Sequence, residues 1–419
     1  MGTAEGAAAP RRAGRDFTLL WVSQAVSEFA YSTSLIALPL LVLTLTGSPS
    51  QAGVIGFVDA AAMLVAGLPA GAVADRFDRR SVLLWCEAAL VAVFGIAAVA
   101  LWAGTASLPA LVLLALVNGV ATAVMLVTGE AMVPALVPEE KLAGAVAMNS
   151  ARTYAGQLVG TSAGGFLQAM RNALPFALGA VAHAVSLGLL LFLRKQPAAP
   201  RDPAADRWSP RELLEGIRWI AGVPFLRLGL FYATVTNFFY GAVYFVVIAA
   251  AKTGGMTSGA VGLMAALVGV GGLLGALAAP VLQRVLTGSR PIVVVLGLFG
   301  VLTAAMALLP GSFTPGILLG TTALVAPTAN AYFTTYELLL TPDSHRGRVM
   351  SVANICSAGG GALAPLAGGL AYEVCGRTAT LLGCAAVLVA VTVSAVLSTV
   401  MRNPPEVPEP EPTLMTADL

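Results

Sequence analysis

Five carboxylates stand inside long apolar runs of this chain, and four of them, Glu28, Asp59, Glu130 and Glu337, are candidates for chemistry, the fifth being Glu87. A charge surrounded by hydrocarbon is costly to keep, so such residues read as functional by default, and the chemistry open to them is reversible protonation. Glu28 shares a helical face with Gln24 and Tyr31, at i−4 and i+3. Glu130 and Arg152 are expected at similar depth in neighbouring runs, the arrangement of a buried ion pair. Glu337 holds the related place in the second half of the chain, but Ser357 stands where an arginine would be needed. Asp59 falls in the outer third of its run. Glu87, two turns past Arg80, reads as its salt-bridge partner, and His183 as a helix-packing residue.

Aromatic and amide residues gather in two further runs. Asn237, Tyr240 and Tyr244 lie on one helical face, as do Asn330, Phe333 and Glu337, with Tyr332 and Tyr336 beside them. Large rings with a few polar handles suit a bulky amphipathic solute better than a small sugar. Other chemistries find no support. The two histidines are far apart, no metal or nucleophile constellation emerges, and Cys86, Cys356, Cys375 and Cys384 form no CxxC pair. No Gly-x-x-x-x-Gly-Lys-Ser/Thr phosphate loop occurs, which removes ATP hydrolysis by that route. No cofactor, metal or nucleic-acid partner is expected, and the chain is not expected to be an enzyme.

The elements that must position these residues are membrane spans. Hydrophobic residues make up 58% of the chain and charged ones only 11%, against roughly 25% charged in a soluble domain. Runs of about 20 apolar residues predict twelve spans. Six lie near 17–45, 52–74, 81–103, 109–137, 143–168 and 174–193. Six more lie near 225–251, 258–282, 291–310, 315–340, 349–372 and 378–400. The expected fold class is thus all-α integral membrane, in two six-helix bundles (17–193 and 225–400). A cytoplasmic arm (1–16), a linker (194–224) and a disordered tail (401–419) complete the chain. With both termini in the cytoplasm, all of the 23 Lys and Arg fall on cytoplasmic segments except Arg152, Arg171, Lys252 and Arg377. The positive-inside rule therefore predicts that orientation. No small-residue cleavage site follows the N-terminal arginines, so the first span is expected to be retained. In the linker, Ser209-Pro210-Arg211-Glu212 has capping-box spacing. Leu213, Ile217 and Ile220 then share a face, predicting a helix that lies on the inner membrane surface.

Between spans 2 and 3 runs Gly71-Ala72-Val73-Ala74-Asp75-Arg76-Phe77-Asp78-Arg79-Arg80. It resembles the Gly-x-x-x-Asp-Arg-x-Gly-Arg-Arg signature of the major facilitator superfamily of secondary transporters. Gly71, Asp75, Arg76, Arg79 and Arg80 match it, and Asp78 takes the place of the second glycine. The halves also resemble each other. Pro138-Glu139-Glu140 through Asn149 precedes the body of span 5, and Pro342-Asp343-Ser344 through Asn354 that of span 11. Leu282-Gln283-Arg284 echoes Ala74-Asp75-Arg76. Such parallel repeats are the architecture of the two halves of this superfamily.

Span 5 holds Gly156, Gly160, Gly164 and Gly165, with Thr161 at the proline position of the Gly-x-x-x-Gly-Pro-x-x-Gly-Gly antiporter motif that it resembles. Span 11 repeats the idea with Pro365, Gly368 and Gly369. Phe17 to Ser27, Ala37-Leu38-Pro39-Leu40-Leu41 and Thr46-Gly47-Ser48 are similar to the branch of drug:proton antiporters that includes macrolide-efflux and siderophore-export proteins. The Arg-x-x-Gln-Gly pattern of drug efflux is half present: Asn118-Gly119 ends it and Ala115 takes the arginine's place. The resemblance implies a monomeric exporter in the cell membrane, coupled to protons, with spans 7 and 10 bordering a central cavity. Gln24, Tyr31, Arg152, Asn237, Tyr240, Tyr244, Asn330, Phe333 and Tyr336 are the expected lining. It also implies that Asp75 locks the cytoplasmic side by meeting the start of span 11 near Val349. The alternatives are an importer of the same fold or a membrane scaffold or sensor that does not transport.

Overall fold

The computed structural model describes residues 8–195, 210–286, 290–403 and 405, and every regular element among them is a helix. The first half consists of α1 (Ala8–Thr46), α2 (Pro49–Arg76), α3 (Arg79–Ala103), α4 (Leu108–Leu136), α5 (Glu139–Met170) and α6 (Leu174–Leu191). A short α7 (Pro210–Gly222) leads to α8 (Pro224–Thr253), α9 (Ser258–Val285), α10 (Arg290–Leu308) and α11 (Thr314–Leu339). Last come α12 (Asp343–Leu397) and α13 (Thr399–Arg402). Nine helices among the described residues are long and apolar enough to cross a membrane, by length and composition. One of these, α12, is broken at Gly376 (φ 76°, ψ 173°) and makes two crossings. With the more polar α5 and α11, the twelve expected spans are all present.

The internal repeat is visible in the packing. In the first half α1 packs on α5, α2 on α4, and α3 on α6. In the second, α8 packs on α12, α9 on α11, and α10 on α12, so corresponding helices choose corresponding partners. Two seams join the halves, α2 against α12 and α5 against α9.

Turns alternate between two faces. One carries the α2–α3 turn and is called here the Asp75 face; the other carries the α1–α2 turn and the Gly376 break and is called the Glu373 face. Among the described residues the five glycines with positive φ (Gly47, Gly104, Gly255, Gly311 and Gly376) all lie at turns of the Glu373 face. Gly104 illustrates why: its left-handed conformation closes α3, with its N–H turned back to Ala100 and Leu101, a geometry that a Cβ would strain. On the same face the Arg171 guanidinium sits 3.8 Å from the centre of the Trp102 ring.

The linker holds the predicted helix as α7. The capping-box residue Ser209 and, of the predicted 401–419 tail, residues 404 and 406–419 lie outside the described residues, while residues 401–402 of that tail are helical, in α13 (Thr399–Arg402). On the predicted apolar face, Ile217 is exposed, whereas Ile220 is buried with Val349 and Val352 of α12 and Leu226 of α8. Gly216 permits this approach, since a Cβ there would stand 2.7 Å from the Arg348 carbonyl oxygen. Glu215 pairs with Arg348, and Trp219 stacks on His345. α7 is therefore docked on the start of α12.

Candidate functional site

Glycines record how the halves meet. On α2, a Cβ at Gly53 would strike the Pro365 carbonyl, and one at Gly56 would stand 2.9 Å from the Pro365 ring. Further along, Leu64 is 3.7 Å from a Cβ at Gly359, while Gly67 and Gly71 would meet nothing within 4 Å. The second seam behaves alike. A Cβ at Gly262 of α9 would lie 2.8 Å from Gly165 Cα, one at Gly269 would lie 3.2 Å from Leu158, and one at Gly272 3.5 Å from Tyr154. Both seams are tight near the Glu373 face and part toward the Asp75 face. The Glu373 carboxylate of α12 reinforces the closed end: it accepts hydrogen bonds from Ser48 Oγ and from the Ser50 N–H, each at 2.8 Å. A carboxylate of the second half thus sits at the N-terminus of α2 in the first, where the helix dipole favours negative charge.

Between the parted helices lies a cavity of about 700 Å³. Its wall includes Tyr31, Leu35 and Pro39 of α1, Asp59 and Met63 of α2, Leu126 of α4 and Gln157 of α5. Tyr240, Tyr244 and Phe245 of α8 and Asn354, Ile355 and Pro365 of α12 line the other side. A second cavity of about 270 Å³ shares Gln157, Tyr240 and Val268 with the first and is lined by Tyr154, Asn237, Asn330 and Phe333. Tyr31, Asn237, Tyr240, Tyr244, Asn330 and Phe333 therefore stand on cavity walls. Gln24, Arg152 and Tyr336 do not: Tyr336 packs on Phe225 and Tyr332.

Of the four candidate carboxylates, Asp59 alone is on the wall of either of these two cavities. It accepts a hydrogen bond of 2.8 Å from Asn118 Nδ2, and Gly119 lets α4 approach so closely that a Cβ would strike the Asp59 carbonyl. The half-preserved Asn118-Gly119 pair thus seats Asp59. Glu28 lies between α1 and α5, against Gly156, and accepts from Ser32 Oγ at 3.4 Å. The expected Glu130–Arg152 ion pair is not made. Glu130 is exposed, and the Arg152 guanidinium turns to Gln24 Oε1 and, at 3.4 Å, to Asn149 Oδ1. Arg152 keeps electrostatic contact with both Glu28 and Glu130. Glu337 is buried, and its Oε1 has no hydrogen-bond partner.

Glu87 does not reach Arg80. It is fully buried among α1, α3 and α6, where it accepts from Ser27 Oγ, from Ser186 Oγ at 2.6 Å, and faces His183 Nδ1 at 2.8 Å. Phe94 covers the imidazole, with ring centres 5.2 Å apart. This polar cluster inside the first half was missed in the sequence. The available signal was the spacing of His183 and Ser186, three residues apart on one face of α6. Arg80 instead donates to the carbonyls of Leu190 (3.1 Å) and Leu191 (2.7 Å) at the end of α6.

The α2–α3 turn explains its own departure from the signature. Asp78 caps α3, accepting from the Ser81 N–H at 3.1 Å and Ser81 Oγ at 2.6 Å, the role that aspartate fills well at an N-cap. Arg79 donates to the Ala131 carbonyl at 2.7 Å and pairs with Asp75 at 3.1 Å. The Asp75 side chain is 59% exposed, so the expected contact with the start of α12 near Val349 is not made in this state. The antiporter-type glycines act as packing sites. Gly156, Gly160 and Gly164 bring α5 onto α1, and Gly165 brings it onto α9. Gly360 and Gly368 bring α12 onto α8, and Gly369 meets the Pro49 carbonyl of α2.

Two repeated six-helix halves around a cavity that opens on one face only define a membrane transporter rather than an enzyme. The family model of the Major Facilitator Superfamily matches residues 20–365, and the chain belongs to that family. The enterobactin exporter EntS of Escherichia coli O1:K1 / APEC is 29% identical over 212 residues, 50% of this chain and 50% of its own length. EntS of Shigella boydii serotype 18 is 28% identical over 210 residues, again half of each chain. The chain thus matches about half the length of these curated relatives. Among solved structures, the nucleoside transporter NupG (D323A mutant) aligns with a TM-score of 0.73 at 14% identity, covering 90% of this chain and 98% of its own. A bacterial homologue of the human lysosomal transporter Spinster, inward-facing and unoccupied, aligns at 0.68 with 15% identity, covering 91% and 96%. These likenesses show the fold.

Proposed function

We propose that the chain is a proton-coupled exporter of a bulky amphipathic small molecule, working by alternating access. The observation that carries this reading is the cavity, apolar with a few polar handles, open toward the Asp75 face and sealed at the Glu373 face. The basic residues flanking the Asp75 face support a cytoplasmic position for it by the positive-inside rule, and in this reading the state described is inward-open and ready to load from the cell interior. Its division into a bundle at 17–193, a linker at 194–224 and a bundle at 225–400 follows the two seams, and a single copy encloses the whole cavity. Rocking of the halves closes the Asp75 face and parts the Glu373 face. Proton carriage falls to the intramembrane carboxylates. Glu28 is the foremost, because it lies beside Arg152 at the α1–α5 contact next to the seam. The half-length similarity to a siderophore exporter supports the direction of transport.

The test is a flux measurement in everted membrane vesicles energised by respiration. Hydrophobic fluorescent compounds should accumulate inside vesicles that contain the protein, and a protonophore should abolish the uptake. Accumulation in right-side-out vesicles instead would establish an importer, and no gradient-dependent flux in either would exclude proton coupling.

A further inference from the structure

We propose that a small cavity at the Glu373 face of the second half binds a phosphate group, with Arg377 as the residue that reads its charge. The cavity holds about 130 Å³ and shares no residue with the two described above. Val247 and Gly254 of α8 and Met264 of α9 form one side of it. Ser312 of the α10–α11 turn, Pro315 of α11 and Arg377 of α12 form the other. All of these residues belong to one half, so the proposal stands apart from the direction and the coupling of transport.

The backbone explains why a charge stands here. Gly376 breaks α12, and Arg377 is the first residue beyond the break. Its Nη2 donates to the Met306 carbonyl of α10 at 2.6 Å, which holds the guanidinium at the wall. Its Nε and Nη1 find no partner among the described residues. No carboxylate lines the cavity, and Glu373, four residues earlier, is turned across the seam to Ser48 and Ser50. The other two basic residues of this face are engaged, Arg171 on the Trp102 ring and Lys252 with Ser258 Oγ at 2.8 Å. Arg377 is therefore a half-buried cation on a mostly apolar wall, with donors to spare and no counter-charge.

The free donors select the anion. A guanidinium keeps its charge at every working pH and offers a planar fork that suits phosphate oxygens. The Ser312 hydroxyl, on the same wall, makes no hydrogen bond among the described residues. A tetrahedral phosphate has oxygens enough to meet both groups, whereas a carboxylate spends its two on the arginine. Close by, Leu308, Leu309, Phe313 and Ile317 are exposed on α10, the turn and α11, a surface that acyl chains can follow. The phosphate can therefore come from the headgroup of a lipid in the adjoining leaflet or from solution. In either case it ties the α10–α11 turn to the second crossing of α12.

A ligand that binds only the folded chain raises its unfolding temperature with concentration, and the titration yields an affinity. The purified full chain, delipidated in detergent at constant ionic strength, is titrated with inorganic phosphate, with dihexanoyl phosphatidylglycerol and with acetate. Phosphate or the lipid should raise the unfolding temperature, and acetate should not. Arg377→Gln should weaken the binding by about 10-fold or more, since it removes a charge-assisted pair. Arg171→Gln, on the same face but in the other half, should leave it unchanged. Competition then identifies the source: lipid that displaces phosphate marks a headgroup site, and phosphate binding indifferent to lipid marks a site for the free anion. No rise with either phosphate compound, an equal rise with acetate, or an Arg377→Gln affinity indistinguishable from wild type would each overturn the proposal. Should Arg377→Gln fail to fold, Ser312→Asp decides, because it sets a like charge on the wall from an exposed turn. Phosphate binding undiminished in Ser312→Asp is incompatible with this site.

Discussion

Gly369→Ala should drive the protein out of the state described here. A Cβ on Gly369 would lie 2.5 Å from the Pro49 carbonyl oxygen and 3.2 Å from Phe245 Cε1, so either α2 or α12 must move. Overpacking of this kind costs about 1–3 kcal/mol. The contact crosses the α2–α12 seam, and it is lost when the Glu373 face opens, so the penalty falls on one state only. A differential of that size moves the ratio of inward-open to outward-open protein by about 5- to 150-fold. The intrinsic helix preference of Ala over Gly acts equally in both states and cancels. Gly53→Ala, at the same seam, should act in the same direction. Gly95→Ala is the control, because its Cβ would meet nothing within 4 Å and α3 belongs to neither seam. Spin labels on Thr105→Cys and Ser312→Cys, exposed in turns of the two halves on the Glu373 face, would report the populations as a distance distribution, after the four native cysteines are replaced. A Gly369→Ala distribution identical to wild type would refute the reasoning, since it would mean that the seam yields without cost.

Three further outcomes are expected. Asp75→Asn should enrich the state described here and slow turnover, because the carboxylate contributes little in it, beyond its exposed pair with Arg79, and the lock proposed for it forms only when the Asp75 face closes; the same distance measurement checks it. Glu28→Gln should fold normally and lose protonophore-sensitive export in everted vesicles, whereas wild-type flux with unaltered pH dependence would remove Glu28 as the coupling group. Glu87→Ala strips the buried His183 of its partner at 2.8 Å and should cost on the order of 3–5 kcal/mol, read as a clear drop in thermal unfolding temperature; an unchanged temperature would show that the cluster contributes nothing to folding.

The helices, their order and the repeat were legible because hydrophobic length and basic flanks are local properties of the chain. Partnerships across helices were not. Depth along a span can be counted from sequence, but rotation about the helix axis is set by packing, and rotation decides who meets whom. Glu130 and Arg152 stand at matching depth, yet Gly129 turns its own side of α4 toward Gln24, leaving Glu130 on the exposed side and Arg152 facing α1. Glu87 failed in the same way: Arg80 lies on its own helix and was an easy partner to propose. The actual partners, Ser27, His183 and Ser186, come from helices 60 to 99 residues away in sequence. The capping role of Asp78 was not legible because it depends on where α3 begins, a boundary that hydropathy alone leaves uncertain by several residues. Glu373 drew no attention, since a carboxylate in a polar turn is ordinary until the neighbouring half brings Ser48 and Ser50 beneath it.

The placement of the polar groups bears on how transport can be coupled. Ionisable residues buried within one half, Glu87 and His183 above all, keep the same neighbours as long as that half moves as a rigid body, so their protonation cannot distinguish the two states. Groups at the seams and in the cavity change neighbours with every swing of the halves. Asp59 faces the space that opens and closes, Glu28 sits beside the α5 surface that leads to α9, and Asp75 and Glu373 stand at opposite ends of the α2–α12 seam. In the proposed cycle the last two have related roles, each a carboxylate of one half that meets the start of a helix in the other. Only Glu373 is engaged here, at 2.8 Å from two donors, while Asp75 is exposed. An exporter needs these two contacts to be mutually exclusive, and one rigid seam shared by both carboxylates makes them so: α2 and α12 cannot close at one end without parting at the other.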